Sequence, residues 1–288
     1  MKSYLDCFPC LLSQALNVAR LTTDNENTQR QIINKVLQVL SKSSLDVTPP
    51  EISQTVYSAI REITKINDPY YQAKQEQNKT AIDLSYELKT MISDAKDPLF
   101  FSLKLAIAGN IIDLGIRQKV KNIKTAIMEA VNMPLSIDHY SFFKKKIKHA
   151  KKLLYLGDNA GEIVFDKIFI EEIRKKYKIN VYYVVRGAPI INDVTFDDAK
   201  FVGMGEVAEV VSNEFDAPGT ILSKSSPQIN HLLSVSDMVI SKGQGNYESL
   251  SAVKKNIFFL LKAKCAIVAR DLCVDEGDFI LKSQIKTL

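Results

Sequence analysis

Nowhere in the 288 residues is there a run of about 20 clean apolar residues, the length a membrane-crossing helix needs. The longest apolar stretches, 99–115 and 257–269, are broken by Lys104 and by Lys262 and Lys264, so no membrane partner is expected. The opening Met1-Lys2-Ser3-Tyr4-Leu5-Asp6 is polar, and Asp6 falls where a secretory leader would need its apolar centre, so export is not expected either. Cysteine is scarce. Cys7, Cys10, Cys265 and Cys273 make one close pair and two singles, which excludes a dense disulfide framework and fits a reducing, cytoplasmic setting. The three histidines, His139, His149 and His231, are scattered, with no His-x-x-x-His pattern and no Ser-His-Asp arrangement. There is no Walker motif, no dinucleotide fingerprint and no repeat of 20 to 50 residues.

What is present is ordinary globular usage: 46% hydrophobic and 25% charged residues, in a chain long enough for one large domain or two modest ones. The net charge of +5 is concentrated in Lys144, Lys145, Lys146, Lys148, Lys151 and Lys152. Those lysines are not spread along aromatic-studded strands, so they read as a solvated face and no nucleic-acid partner is expected. A basic field still favours small anionic metabolites.

The two halves differ in their periodicity. Up to about residue 150 apolar residues recur every three or four positions, the spacing of helices that bury one stripe. Leu11, Leu12, Ala15, Leu16 and Ala19 mark a first helix, and Ile32, Ile33, Val36, Leu37 and Leu40 a second. Thr48-Pro49-Pro50-Glu51 starts a third, with Thr48 as cap and a proline tolerated in the first turn. Further helices are predicted over 70–94, 97–109, 121–132 and 138–150. After Lys151, short β-rich runs alternate with helical patterns: 152–156, 180–185, 208–211, 238–241 and 265–269. Val181-Tyr182-Tyr183-Val184-Val185 is apolar on both faces, as strands of a helix-covered parallel sheet are. The expected architecture is α/β: an all-helical N-terminal domain over 1–150, then a three-layer α/β/α domain with a mostly parallel sheet over 151–288.

Ligands of open parallel sheets bind beyond the carboxyl ends of the strands. The first predicted strand runs into Gly157-Asp158-Asn159-Ala160-Gly161-Glu162, which carries hard oxygen donors. The second ends at Arg186-Gly187-Ala188-Pro189 and soon reaches Asn192-Asp193. The fourth ends in Ser241-Lys242-Gly243-Gln244-Gly245-Asn246-Tyr247-Glu248, where backbone amides and a lysine could cradle an anion. Asp158 and Asp193 meeting at one sheet edge would repel unless a cation lay between them, and carboxylates with an amide oxygen suit a hard divalent ion. Each element also has a plain structural reading. Asp158-Asn159 could cap the next helix, Asp193 could belong to a turn, and Asn110 and Asp113 could simply bind backbone. Cys7-x-x-Cys10 has the spacing of a redox or metal half-site, but no second pair completes it.

These residues together resemble the metal-dependent damage-control phosphatase family, long a domain of unknown function and once described as a carboxyl methyltransferase of acidic residues. The resemblance spans nearly the whole chain. It rests on Cys7-x-x-Cys10, Asp68-Pro69-Tyr70 with Lys74 and Asn78, Gly109-Asn110 with Asp113, the 158–162 turn, Asn192-Asp193 and the 241–248 turn. The cysteine pair points to the smaller prokaryotic and archaeal-type subfamily. The resemblance implies that Asp158, Asn159 and Asp193 hold one divalent cation, Mg, Mn, Co or Ni. It implies also that Gln244, Gly245, Asn246, Tyr247 and Glu248 help bind a small phosphorylated metabolite. Lys242 is expected to offset phosphoryl charge, with Asn110, Asp113 and Glu162 as further substrate-side groups. Eukaryotic sugar-phosphate members carry an Arg-Thr-x-Lys motif after the last strand. This chain has Val268-Ala269-Arg270-Asp271-Leu272 in that place, so their sugar preference does not transfer. The competing readings are a noncatalytic metal or metabolite module and an S-adenosylmethionine-dependent methyltransferase. The second is disfavoured because no glycine-rich loop follows the first strand.

Overall fold

A computed structural model describes residues 1–109, 111 and 123–285 of the chain. Asn110 and Asp113 lie outside the described residues. The first half is helical, as its periodicity predicts: α1 (Cys7–Thr22), α2 (Glu26–Lys42), α3 (Pro49–Thr64), α4 (Tyr71–Ser93), α5 (Pro98–Ala108), α6 (Ile123–Asn132) and α7 (Tyr140–Ile147). At the start of α3 the Glu51 carboxylate reaches back to accept the Thr48 backbone N–H at 2.8 Å, completing a capping box. One short strand, β1 (Ile137–Asp138), interrupts the helices.

The second half alternates strand and helix: β2 (Lys152–Leu156), α8 (Glu162–Lys176), β3 (Asn180–Val185), α9 (Phe196–Phe201), β4 (Glu209–Ser212), α10 (Pro227–Val235), β5 (Met238–Lys242), α11 (Gly243–Leu250), β6 (Ile257–Lys262), α12 (Ala266–Leu272) and β7 (Phe279–Ser283). The seven strands form one sheet in the order β1-β7-β6-β5-β2-β3-β4, parallel throughout except for the antiparallel pair β6 and β7.

Two expectations need correction. Residues 265–269 are not a strand; Ala266–Leu272 is helix α12, and the strand beside β5 is Ile257–Lys262 just upstream. The β-branched Ile267 and Val268 suggested a strand, but they supply the buried face of a short helix. Residues 138–150 likewise begin as strand, because Ile137 and Asp138 pair with Ile280 and Leu281 and extend the sheet. Two residues are too few to show a period in sequence.

Period-two alternation then divides the core. Leu153, Tyr155, Val181, Tyr183, Val185, Met238, Ile240, Phe258 and Leu260 point to the face covered by α4 to α8. Leu154, Leu156, Val184, Val239, Ile257, Phe259 and Leu261 point to the opposite face, under α10, α11 and α12. Helices α1 to α3 bury a separate core, in which Leu11, Val18, Ile32, Val36, Val56 and Ile60 meet Tyr70 and, from the α/β half, Ile190. Among the described residues no helix is long and apolar enough to cross a membrane.

Candidate active site

Strand β2 lies between β3 and β5, so the chain winds outward through β3 and β4 and then returns to β2's other side. This reversal opens a crevice at the carboxyl ends of β2 and β5, where open α/β sheets bind ligands. The loops bordering it are residues 157–161 after β2, 186–195 after β3, and the junction of β5 with α11.

The first two loops are joined by backbone. Asn159 and Asp193 form an antiparallel bridge, flanked by Val194 N–H to Asp158 O at 2.9 Å and Ala160 N–H to Asn192 O at 2.8 Å. Asp158, Asn159 and Asp193 are thus brought together by main-chain hydrogen bonds, and all three are buried. Two residues before Asp193, Ile191 adopts φ 47°, a region that a β-branched side chain rarely enters. It is held there by packing: Ile190 sits in the core of α1 to α3 and Ile191 lies against it.

Side chains finish the arrangement. The Asn159 amide nitrogen donates to Asp158 Oδ2 at 2.9 Å and to Glu162 Oε1 at 2.8 Å. Both acceptors are carboxylates, so the amide hydrogens are consumed and the Asn159 carbonyl oxygen is released for another partner. Glu162 is held in turn by Lys242, whose Nζ lies 3.1 Å from Glu162 Oε2 and 2.8 Å from Asp166 Oδ1. The hydroxyls of Tyr155 and Tyr183 donate to the two Asp166 oxygens at 2.7 and 2.9 Å. Burial would push the Lys242 ammonium toward neutrality, but Asp166 and Glu162 together outweigh it and hold the charge. Losing that charge leaves two buried carboxylates unpaired. Lys242→Met is therefore expected to lower stability by about 3–5 kcal/mol, measured by urea unfolding; a loss under about 1 kcal/mol would contradict this role.

Asp158 has the opposite problem. Burial, then Glu162, then Asp193 push its carboxyl well above the usual range, and the Lys264 and Arg186 charges offset this only in part. Burial also raises Asp193, although Arg186 Nε donates to its Oδ2 at 2.7 Å. Gly243 lies directly against Asp158. It has φ 78°, and a Cβ there would overlap Asp158 Oδ2. Among the described residues no group of three or more His, Cys, Asp and Glu side chains is gathered as a metal site. Two buried carboxylates with a freed amide oxygen are instead a hard-oxygen set; Arg186 pairs with Asp193, while Asp158 has no direct ion pair among the described residues, and the set fits a divalent cation.

The structure also sorts the remaining expected site residues. Lys242, expected to offset phosphoryl charge, is buried and paired with Glu162 and Asp166. Glu162, expected at the substrate side, accepts from the Asn159 amide. Asn246 is fully used by Gly157 O, Lys242 O and the Thr220 hydroxyl, so it fastens β5 to β2. Tyr247 faces away, with its hydroxyl on Asp271 at 2.6 Å and its ring against Phe259. These two sit on adjacent faces of the helix that begins at Gly243, where the sequence suggested a turn. Gly245 packs against the Pro218 carbonyl. Gln244 and Glu248 pair with each other at 2.9 Å, and Gln244 also accepts from Lys264 N–H and donates toward Cys265 Sγ. The Cys7 and Cys10 thiols are free and raised chiefly by burial, with Cys265 and Glu248 close enough to act on both.

Two groups went unseen in the sequence. Lys264 follows β6 and acts electrostatically on Asp158, Asp193 and Glu248. It was obscured because residues 265–269 were read as the strand. Arg186 follows β3 directly and is fully buried. Its position at a strand's carboxyl end was the available signal.

Comparison with known proteins follows the same outline. A family model described as the damage-control phosphatase ARMT1-like domain matches residues 3–280. An uncharacterized protein of Methanocaldococcus jannaschii is 35% identical over 285 residues, covering 96% of this chain and 93% of that protein. A protein of Archaeoglobus fulgidus named damage-control phosphatase is 32% identical over 282 residues, covering 96% and 97%. The crystal structure of a DUF89 family protein from Pyrococcus horikoshii superposes with a TM-score of 0.93 at 29% identity, covering 99% of this chain and 100% of that one.

Proposed function

The chain belongs to the damage-control phosphatase ARMT1-like domain family, and from that premise we propose that it hydrolyses phosphate monoesters of small metabolites at one divalent cation held by Asp158, Asn159 and Asp193. As a member it is a phosphatase of metabolite damage control. The Asn159 side chain carries the assignment of the cation. Both of its amide hydrogens are donated to carboxylates, one of them Asp158, which leaves the amide oxygen as the group able to act as a ligand.

When bound, the cation would act as a Lewis acid toward a phosphoryl oxygen and lower the charge at the crevice. The chain's own residues do the positioning. Asp158 and Asp193 fix the cation's place through the backbone bridge between their loops. The first-turn amides of α11 receive no side-chain cap from Lys242, and a helix start of this kind donates to phosphate oxygens. Lys264, at the end of β6, adds positive charge facing the same carboxylates. Phosphoryl transfer asks mainly for positioning and charge stabilisation, and this inventory supplies both.

The test is phosphate release from an aryl phosphate and a panel of sugar and nucleotide phosphates, using chelator-treated protein with Mg²⁺, Mn²⁺, Co²⁺ or Ni²⁺ restored singly. Release is expected only with a divalent ion. Undiminished turnover after chelation would overturn the cation's role, and cation binding without turnover of any substrate would favour a binding module.

A further inference from the structure

Among the described residues, Arg186 is the one buried cation of this crevice with donors to spare. Lys242 is matched by Glu162 and Asp166, and Lys74, a short way along the edge, is matched by Asp68 at 3.2 Å and Asp198 at 2.9 Å. Arg186 has a completely buried side chain, yet only its Nε is used, on Asp193. Nη1 and Nη2 have no hydrogen-bond partner within the protein. The other buried polar atoms without partners among the described residues are all uncharged groups. Asp193 balances the charge, but burying guanidinium N–H donors without acceptors is unfavourable, so the two idle Nη groups call for a ligand that brings acceptors.

The ligand's class follows from the donor geometry. Two Nη groups in one rigid plane present paired N–H bonds that match the oxygens of a phosphate bidentately. Their location follows from Asp193. The same guanidinium that binds Asp193 Oδ2 through Nε also acts on Asp158, so it borders the pair assigned to the cation. Arg186 further lines a cavity of about 180 Å³ with Lys74, Thr195 and the carboxylates of Asp68, Asp197 and Asp198, of which Asp68 and Asp198 are paired with Lys74.

Resting on the phosphatase reading above, we propose that Arg186 is the phosphoryl-binding residue of this site, gripping the substrate's phosphoryl group, and then the released phosphate, through Nη1 and Nη2 while Nε keeps Asp193 in place. Substrate binding thus completes a hydrogen-bonding pattern that the folded protein leaves open.

The test is direct binding of inorganic phosphate by calorimetry in the presence of the divalent ion, for wild type, Arg186→Gln and Arg186→Lys. Cation binding is measured separately on each. Phosphate affinity is expected to fall about 10- to 100-fold in Arg186→Gln with cation affinity kept within a few-fold. Arg186→Lys, which retains a charge near Asp193 but not the paired donors, is expected to fall between the two. Unchanged phosphate affinity in either folded variant overturns the proposal. So does parallel loss of cation and phosphate binding in both, because the arginine would then act only through Asp193. If Arg186→Gln does not fold, Arg186→Lys decides on the same criteria. Phosphate binding needs no turnover, so a wild type that binds phosphate but hydrolyses nothing sinks the phosphatase reading and leaves this assignment standing.

Discussion

Asp158→Ala is expected to reduce cation-dependent phosphate release by about 10³-fold or more, while the protein stays folded. The estimate follows from the role: a ligand that places a Lewis acid contributes several kcal/mol to the transition state, and each 1.36 kcal/mol is tenfold in rate. Stability is expected to move the other way or not at all in cation-free protein. Asp158 is a buried carboxylate pressed by Glu162 and Asp193, so truncation removes a repulsive group, which offsets the loss of its hydrogen bond from the Asn159 amide. The check is kcat/KM with an aryl phosphate at saturating cation, beside the thermal midpoint in chelator. A variant with more than a tenth of wild-type activity would remove Asp158 from the centre of the chemistry. One that lost activity only because it unfolded would show it in the midpoint.

Gly243→Ala is expected to be nearly as damaging, from a single added methyl. Two effects combine at this position. A φ of 78° costs a non-glycine residue about 1–2 kcal/mol, and the new Cβ would occupy the space of Asp158 Oδ2. Asp158 cannot retreat freely, because its carbonyl accepts from Val194 and its carboxylate accepts from Asn159. The carboxylate must therefore rotate out of place, and about 10²-fold or more of the activity is expected to go with it. Cation affinity by calorimetry should fall in parallel, and urea unfolding should show a loss of a few kcal/mol. Normal cation affinity in this variant would mean that Asp158 is not the ligand its contact with Gly243 implies.

Much of this was legible in the sequence, for reasons that can be traced. Strands β2 and β3 were readable to the residue because each is apolar on both faces and bounded by polar residues. Helices α1 to α5 announced themselves by their stripes and by Thr48, Asp97 and the prolines after them. Strand β7 was missed because its antiparallel return comes after the βαβ rhythm has stopped. Asp158, Asn159 and Asp193 could be nominated because strand ends are where such sheets bind ligands. The turn after β5 was harder. Lys242 shares its pleat with Met238 and Ile240, so alternation alone sends it under α8 and away from the rim. A lysine beside glycines also matches an anion cradle, so two signals conflict at this position. Arg186 could be placed at a strand's carboxyl end from the sequence, but its two unused donors could not be read there, since they are defined by partners it lacks.

The packing of Ile190 and Ile191 against the N-terminal helices has a consequence for how the enzyme fails under heat. The unfavourable backbone of Ile191 lasts only while α1 to α3 remain assembled, and Asp193 stands two residues away. Melting of that small helical cluster would let the loop relax and carry Asp193 off its partner before the large sheet loosens at all. Inactivation would then run ahead of global denaturation, reporting on the weakest cooperative unit of the molecule and not on the sheet that bears the chemistry. By the same linkage, whatever ligand gathers Asp158 and Asp193 also tightens helices that it never touches.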